Sequence, residues 1–251
     1  MLQKLKLGTV EMAVPSTVMS SEADLFGVFE MPYLVKDREH MKRIENAVFW
    51  RSLAPAAEAK GLKIVAVWEN GYCHITNSKR PINAPADLQG IKLRVPPLKM
   101  YRMTWDMLGA STVPMGVAEL FTSMQQGVVD GQENPLEIVE SMKYNEVQKY
   151  TIETAHVSGA MTWIYHEPRF KRLPADVQAL LKSEGEAAML AATAIAYAIN
   201  HLTPLPVQFG DPNADHISLR HPFGPSYGPL NLAISQTAAN PHNLHPAQCA
   251  D

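Results

Sequence analysis

The chain has 251 residues, of which 46% are hydrophobic and 19% are charged. This composition suits one large or two small globular domains with a buried core, and it excludes a chain that is disordered throughout. Its 22 lysines and arginines are balanced by 25 acidic residues, so no overall basic field favours binding to nucleic acid. No apolar run is long enough for a membrane-spanning helix, so direct insertion into a membrane is not expected.

Cysteine chemistry and targeting signals are sparse. Cys73 and Cys249 lie far apart in the sequence and do not make a disulfide framework. Spacings typical of zinc ligands are absent, so neither a metal nor another cofactor is expected. The first eight residues lack the basic segment and apolar stretch of a signal peptide. They instead have the pattern of a helix end, with Gly8 as the C-terminal stop.

Extended and helical patterns alternate along the first half of the chain. The predicted elements, in order, are a buried strand over 10–14, packed turns over 24–35, a helical stretch over about 39–60, and strands over 62–68 and 72–77. Asp37 is the expected N-cap of the helical stretch, Pro55 predicts a break in it, and Gly61 ends it. Asn70 and Gly71 predict a turn between the two strands.

The same alternation continues in the second half. The predicted elements are a helical turn over 85–89, a strand over 91–95, a helix over about 99–108, an extended segment over 112–115, a helix over 117–126, a strand over 128–130, a helix over about 134–145, a strand over 158–166 and a long helix over about 174–200. This order predicts an α/β fold rather than a sandwich or a helical bundle.

The character of the sequence changes from about residue 199. Residues 199–251 contain eight prolines and five histidines, and their apolar residues show no sustained period. This composition predicts a poorly ordered tail. The irregular spacing of the histidines favours surface residues over metal ligands.

One short predicted strand alternates apolar and basic residues. Ile91, Leu93 and Val95 share one face, and Lys92 and Arg94 share the other. Arg94 stands near the carboxyl end of this strand, where ligands bind in open α/β sheets. Its planar guanidinium can hold a carboxylate through two parallel hydrogen bonds. The alternative is an arginine that is solvated on the strand surface.

A second candidate site lies in the run QQGVVDGQENP, residues 125–135. Its two glycines permit tight turns, and its polar residues stand where the predicted strand gives way to a helix. Asn134 either caps that helix, or directs its amide towards a ligand, or does both. The start of a helix also favours an anion. The glycine patterns of phosphate-binding loops are absent.

Four segments carry a pattern that is known from one family. They are ENGYCHITNSKRPI (69–82), PADLQGIKLRVPP (85–97), MLGASTVPM (107–115) and QQGVVDGQENPLEIVESMKYNEVQKY (125–150). Together they resemble the solute-binding proteins of tripartite ATP-independent periplasmic (TRAP) transporters, the DctP family. The resemblance extends over about residues 1–198, and the pair QQGVVDGQENP and EVQKY is very specific to the family.

The resemblance implies an α/β, two-lobed periplasmic-binding-protein-like fold with a ligand cleft between the lobes. It also implies a periplasmic protein, not an enzyme, that binds one small organic acid and delivers it to the membrane permease of the transporter. In the family, the arginine of the (K/R)xRVP strand makes a bidentate salt bridge to the ligand carboxylate, and Arg94 holds this position. The asparagine of QENP commonly lines the same cleft, which implies a ligand-binding role for Asn134.

Three further positions are implied as part of the ligand site, and all three concern its specificity. Cys73 stands where the family pattern ENG(F/Y)R has an arginine, so a second cation is lost. The neighbouring His74 can replace that cation only when it is protonated. Val117 stands where many members have an aromatic residue after the Pro-Met pair, so one packing wall for the ligand is reduced.

The resemblance also implies domain boundaries. Lobe I is expected over 1–70 and 159–198, lobe II over 71–158, and a divergent tail over 199–251. The first strand and helix of the family do not precede Met1 in this sequence, and the closing elements of the family do not match the tail.

Two alternatives to a working binding protein stay open at this stage. One is a non-functional fragment of such a protein. The other is an enzyme with Cys73 as its nucleophile. Adjacent residues on a strand point to opposite faces, so His74 cannot serve as the base for that thiol.

Overall fold

The computed structural model describes residues 1–201 and 218–219 of the chain, with side chains through residue 189. These residues divide into two compact units. Unit 1 contains Met1–Glu30, Leu34–Tyr72 and the chain from Val157 to the end of the last described helix. Unit 2 contains Met31–Tyr33, Cys73–His156 and the dipeptide at 218–219.

The α-helices of the described residues are α1 (Leu2–Lys6), α2 (Arg38–Ile44), α3 (Ala54–Glu58), α4 (Lys99–Met107), α5 (Leu120–Gln125), α6 (Leu136–Ser141), α7 (Glu167–Phe170) and α8 (Ala175–His201). A π-helical segment over Glu45–Leu53 continues α2 into α3. Short 3-10 segments lie at Thr17–Ser21, Asp24–Glu30, Pro85–Leu88, Val117–Glu119 and Tyr144–Glu146.

Helix starts and stops follow the sequence signals closely. The carboxylate of Asp37 caps α2, because its Oδ1 accepts a hydrogen bond from the His40 amide at 2.6 Å. Pro55 does not break the helix: the π-helical segment Glu45–Leu53 runs directly into α3 with helical dihedral angles at Leu53 and Ala54, so the predicted break is wrong. Gly8 and Gly61 end their helices with φ angles of 69° and 80°, as predicted.

The strands are β1 (Met12–Ala13), β2 (Leu62–Asn77), β3 (Lys92–Val95), β4 (Ser111–Pro114), β5 (Gly131–Pro135), β6 (Tyr150–His166) and β7 (Ser218–Leu219). Their hydrogen-bonded order is β1-β6-β2-β5-β3-β4, and β7 pairs with β6. β3 is parallel to β4 and β5, whereas β5 is antiparallel to β2. Helices alternate with these strands along the chain, so the predicted α/β class is confirmed.

The core of unit 1 is built around the Phe49 ring, which is fully buried. The Phe26 ring meets it edge-on, with 5.8 Å between the ring centroids. Helix α8 packs on the strands of this unit at Gly185, whose carbonyl oxygen accepts a hydrogen bond from Trp68 Nε1 at 3.0 Å. Gly185 has no side chain to hold α8 away from Ala66, where an added Cβ would lie only 2.8 Å from the alanine Cβ.

Strand β3 runs through the core of unit 2. Ile91, Leu93 and Val95 are all essentially inaccessible to solvent, as their alternation predicts. Lys92 is exposed, but Arg94 is only 5% exposed. The alternative of a solvated arginine on the strand surface is therefore wrong, because both faces of β3 are covered at this position.

The predicted turn between the strands over 62–68 and 72–77 is wrong. β2 is one continuous strand of 16 residues. Gly71 adopts a φ of 85° within it, a conformation that glycine tolerates without strain. Asn70 and Gly71 therefore distort β2 locally and do not end it.

A second correction concerns the segment before α6. The strand predicted over 128–130 lies instead at 131–135, as β5, and α6 begins only at Leu136. Five residues of β5 pair with β2, from Gly131 opposite Asn77 to Pro135 opposite Cys73. This long-range pairing overrides the local signal of an asparagine and a proline at a helix start.

The predicted tail over 199–251 lies outside the described residues, except at 199–201 and 218–219. Cys249 and the histidines beyond His201 also lie outside them.

We expect Gly131→Ala to lower the free energy of unfolding by about 1–3 kcal/mol or more. An added Cβ would overlap the Thr76 carbonyl oxygen and lie 2.8 Å from the Asn77 Cβ, so β2 and β5 would be forced apart. Urea unfolding followed by circular dichroism measures the change. Gly116→Ala is the matched control, because Gly116 has a φ of −63° and a Cβ added there would meet no atom within 4 Å. Equal effects of the two substitutions would contradict this account.

Candidate functional site

The Arg94 side chain is held in place by the backbone. Its Nε and Nη2 atoms donate hydrogen bonds to the Met115 carbonyl oxygen at 2.9 and 2.7 Å. Met115 is fixed in turn, because its amide donates to the Val95 carbonyl at 3.0 Å and so continues the pairing of β3 with β4. The plane of the guanidinium is therefore set by two neighbouring strands.

The Arg94 guanidinium also has N–H groups that donate to no described residue. Among the residues described with side chains, no hydrogen bond involves its Nη1 atom, and Met115 occupies only the Nε–Nη2 edge. Burial lowers the pKa of Arg94, while Glu133, Tyr144 and Tyr101 act in the opposite direction. Because a guanidinium stays protonated in proteins, Arg94 presents a buried positive charge with an open pair of N–H donors.

A row of hydrogen-bonded side chains, the amide row, also lies in unit 2. Its members in order are Asn134, Gln132, Thr76, Gln148 and Ser78. Each donates to the next one, and the separations after the first are 2.8, 3.1 and 3.0 Å. At its end, the Ser78 hydroxyl donates to the Val147 carbonyl at 2.9 Å.

The direction of the amide row fixes the Asn134 amide. A backbone carbonyl such as that of Val147 can only accept, so every donor in the row points towards it. Asn134 therefore gives an N–H of Nδ2 to Gln132, and its Oδ1 makes no hydrogen bond within the part of the chain that the structure describes. The side chain is half-buried. Its Oδ1 remains as an acceptor.

The expected capping role of Asn134 is wrong. Pro135, not Asn134, is the residue before α6, and no side chain caps this helix. Asn134 instead lies in β5, opposite His74 of β2. The amide is thus not used by the helix.

Cys73 and His74 are adjacent on β2 but have different partners. Burial raises the pKa of the Cys73 thiol well above its usual range, and the neighbouring Glu133 adds to this effect. Cys73 is therefore an uncharged thiol. Burial, with a smaller effect of His156, lowers the pKa of His74 to about 3. Its Nδ1 accepts the Ala155 amide at 3.2 Å, so the imidazole is neutral and supplies no second cation.

Val117 differs from the other candidates because it is half exposed. It opens the 3-10 segment two residues after Met115, whose carbonyl holds Arg94. Its place at the ligand site stays a prediction.

The sequence analysis missed three buried polar residues in unit 2. Glu133 is 3% exposed and acts on both Arg94 and Cys73, and His156 is 1% exposed. The Tyr144 hydroxyl is buried with no hydrogen-bond partner among the described residues. Glu133 and His156 are buried because they lie on central strands of the sheet. A strand predicted over 131–135 and an earlier start for β6 would have indicated them.

Two negative findings hold for the described residues only. No helix over residues 1–201 combines the length and apolar character that crossing a bilayer requires. The same part of the chain contains no group of three or more His, Cys, Asp or Glu side chains arranged to hold a metal ion.

The geometry can be compared with known proteins. The profile of the DctP family, described as bacterial extracellular solute-binding protein, family 7, matches residues 1–200. A solute-binding protein of Roseobacter denitrificans is 37% identical over 166 residues, which cover 66% of this chain and 50% of that protein. The C4-dicarboxylate-binding periplasmic protein DctP of Rhodobacter capsulatus is 34% identical over 179 residues, which cover 70% of this chain and 54% of that protein.

A solved structure supports the same relationship. The TRAP periplasmic solute-binding protein of Roseobacter denitrificans with bound L-galactonate has a TM-score of 0.76 and 31% identity, and covers 80% of this chain and 67% of that one. The predicted two-lobed α/β solute-binding fold is thereby confirmed. The chain spans about half the length of the curated relatives that it matches.

These relatives are binding proteins, so family membership confirms the prediction that the chain is not an enzyme. The profile covers most of the sequence, including β3 with Arg94 and β5 with Asn134. The chain therefore belongs to the DctP family of bacterial extracellular solute-binding proteins.

Proposed function

We propose that the chain is the extracytoplasmic solute-binding subunit of a TRAP transporter. It resides in the periplasm, binds a small organic acid through Arg94 and delivers this acid to membrane permease subunits. The observation that carries the proposal is a buried guanidinium whose orientation is fixed by Met115 and whose Nη1 atom is not used by the described protein. Family membership and the names of the relatives support the periplasmic location and the permease partner.

The geometry suits a carboxylate. One edge of the Arg94 fork is taken by the protein, and the Nη1–Nη2 end can give two parallel hydrogen bonds to the two oxygens of a carboxylate. Such a charge-assisted pair is stronger in a buried site than at an open surface, because water screens it less. Binding of this kind requires no nucleophile and no acid–base pair.

The charges of unit 2 favour a hydroxylated monocarboxylate over a dicarboxylate. Among the residues described with side chains, Arg94 is the only lysine or arginine that is buried. Cys73 and His74 are both uncharged, so a second carboxylate would find no second cation beside the first. The Oδ1 of Asn134 is an acceptor and suits a ligand hydroxyl. L-galactonate, the ligand of the related solved structure, has this combination of groups.

We expect Arg94→Ala to weaken binding of L-galactonate by about 30-fold to several thousand-fold, the range for removal of one partner from a buried ion pair. Arg94→Lys is expected to lose most of the affinity too, because an ammonium cannot form the two parallel bonds. Isothermal titration calorimetry measures both. Arg102→Ala is the matched control, since Arg102 is largely exposed on α4 and pairs with Asp106. Full affinity in the lysine variant would argue against a bidentate contact.

A thermal-shift series tests the ligand class. We expect L-galactonate to raise the melting temperature more than L-malate at equal concentration, because malate brings a second negative charge that unit 2 does not neutralise. A monocarboxylate without hydroxyl groups, such as butyrate, separates the effect of charge from that of the hydroxyls. A larger shift with malate than with galactonate would refute the assignment of class.

Cys73 is expected to be inert in the native protein. Its burial and raised pKa keep it as a protonated thiol, and only the thiolate reacts readily. In a Cys249→Ser background, a thiol reagent at pH 8 should modify Cys73 slowly in buffer and completely in guanidinium chloride. Cys73→Ser should retain binding of L-galactonate. Fast native modification would revive the idea of a reactive cysteine.

A further inference from the structure

Arg94 is not the only ionisable group buried in unit 2. Glu133 and His156 are 3% and 1% exposed, and 3.4 Å separates Glu133 Oε2 from His156 Nε2. Neither of these two atoms has a hydrogen-bond partner among the described residues. Glu133 is also the strongest of the neighbouring groups that act on the Arg94 guanidinium. Arg94 of β3 pairs with Gln132 of β5, the residue before Glu133, so the guanidinium, the carboxyl group and the imidazole belong to neighbouring residues of unit 2.

His156 has further neighbours besides Glu133. Its Nδ1 lies 2.7 Å from the Thr154 hydroxyl on the same strand, and the Trp105 ring of α4 meets the imidazole edge-on at 4.9 Å between centroids. His74 of β2 also faces it, but its pKa of about 3 keeps it neutral above pH 5.

Among the described residues, five further ionisable groups lie near this cluster. They are Tyr33, whose hydroxyl donates to the Thr154 carbonyl oxygen and whose pKa is raised by burial, Cys73 on β2, Tyr101 on α4, Glu137 on α6 and Tyr144 in its 3-10 segment. Burial raises the pKa of the Cys73 thiol and of the Tyr144 phenol, so both stay uncharged between pH 5 and 8. Glu137 acts on the thiol and is not among the groups that act on Arg94 or His74.

A ligand carboxylate disturbs the balance of these charges. Before binding, Arg94 and Glu133 compensate one another. After binding, one guanidinium faces two carboxylates in a place from which water is largely excluded, and an uncompensated buried charge is strongly unfavourable. A proton on His156 restores neutrality, because the imidazolium lies directly beside Glu133.

We propose that Glu133 and His156 are positioning residues for Arg94, and that the pair takes up one proton when a ligand carboxylate binds. The proton comes from solvent and resides on the imidazole, which then donates from Nε2 towards Glu133 and from Nδ1 to Thr154. Glu133 becomes the partner of His156, and Arg94 becomes the partner of the ligand. This inference rests on the proposed function, since it requires an acid at Arg94.

The sign of the effect follows from linkage. Uptake of a proton on binding makes the affinity rise as the pH falls, by at most tenfold per pH unit for one proton. The rise is confined to the window between the titration midpoints of the imidazole without and with ligand. A ligand carboxylic acid titrates near pH 4, so it remains ionised from pH 5 to 8 and does not cause the change.

The experiment is calorimetric titration of the full chain with L-galactonate at several values between pH 5.5 and 8. We expect affinity to fall with rising pH in the unchanged protein. Glu133→Gln should bind tightly at every pH, because no competing anion is left. His156→Gln should bind weakly at every pH, because no proton can be taken up. Glu146→Gln, which removes an exposed carboxylate of unit 2, should keep the original pH dependence. A merely structural role would weaken both buried variants alike.

A second measurement does not depend on the ligand. The His156 imidazole is titrated by NMR in the unchanged protein and in the Arg94→Gln variant. The substitution removes the positive charge of Arg94 and so imitates its neutralisation by a bound anion. We expect the midpoint to rise by about one pH unit or more, the usual effect of a close charge. An unchanged midpoint, or galactonate affinity that does not vary with pH, would overturn the proposal. Absence of galactonate binding at any pH would contradict the proposed function instead, and the midpoint would then decide on the coupling alone.

Discussion

The contact between the Arg94 guanidinium and the Met115 carbonyl is the interaction on which the candidate site depends. It uses a neutral acceptor to fix a charged group, so the orientation of the side chain is set without its charge being consumed. The carbonyl is available because β3 and β4 run parallel and the chain continues their pairing to Met115. Fold and site are therefore linked through the backbone, and not through a network of side chains that could rearrange.

Charge and orientation are supplied by different parts of unit 2. In the mechanism proposed above, the cluster of Arg94, Glu133 and His156 sets how strongly an anion is attracted. The amide row determines which end of the Asn134 amide is presented. Neither set contains an activated nucleophile, since the buried Cys73 stays protonated. This division of labour is what a binding protein requires, because it must recognise an acid and release it unchanged.

Local signals in the sequence were sufficient for much of the fold. The N-cap at Asp37, the helix end at Gly61 and the alternation along β3 each depend on neighbouring residues only, and the structure confirms them. Arg94 was recognisable as a candidate for the same reason, and the family pattern strengthened it.

These local signals could not predict which distant strands pair with one another. The position of β5 and the continuity of β2 depend on a ladder between residues more than fifty positions apart, and local turn and cap signals pointed elsewhere. The burial of Glu133 and His156 follows from that ladder and from the early start of β6, so these residues were not identified. The burial of Arg94 on the second face of β3 was not predicted for a similar reason. Alternation of apolar and polar residues identifies the core-facing side of a strand, but it does not show what packs against the other side.

The amide row has one more consequence. The direction of its hydrogen bonds is set by the Val147 carbonyl oxygen, which accepts whatever side chain residue 147 carries. Ser78 and Gln148 pass this direction along the row to Asn134, which is more than ten residues away from either in the sequence. A change at Thr76, such as valine in place of threonine, would break the sequence of donors, because Gln132 would lose its acceptor, and it would release Asn134 to turn over. If Asn134 binds the solute as proposed, the choice between a hydroxyl and a carbonyl group on the solute depends partly on the fully buried Thr76, and selectivity can drift while Asn134 itself stays the same.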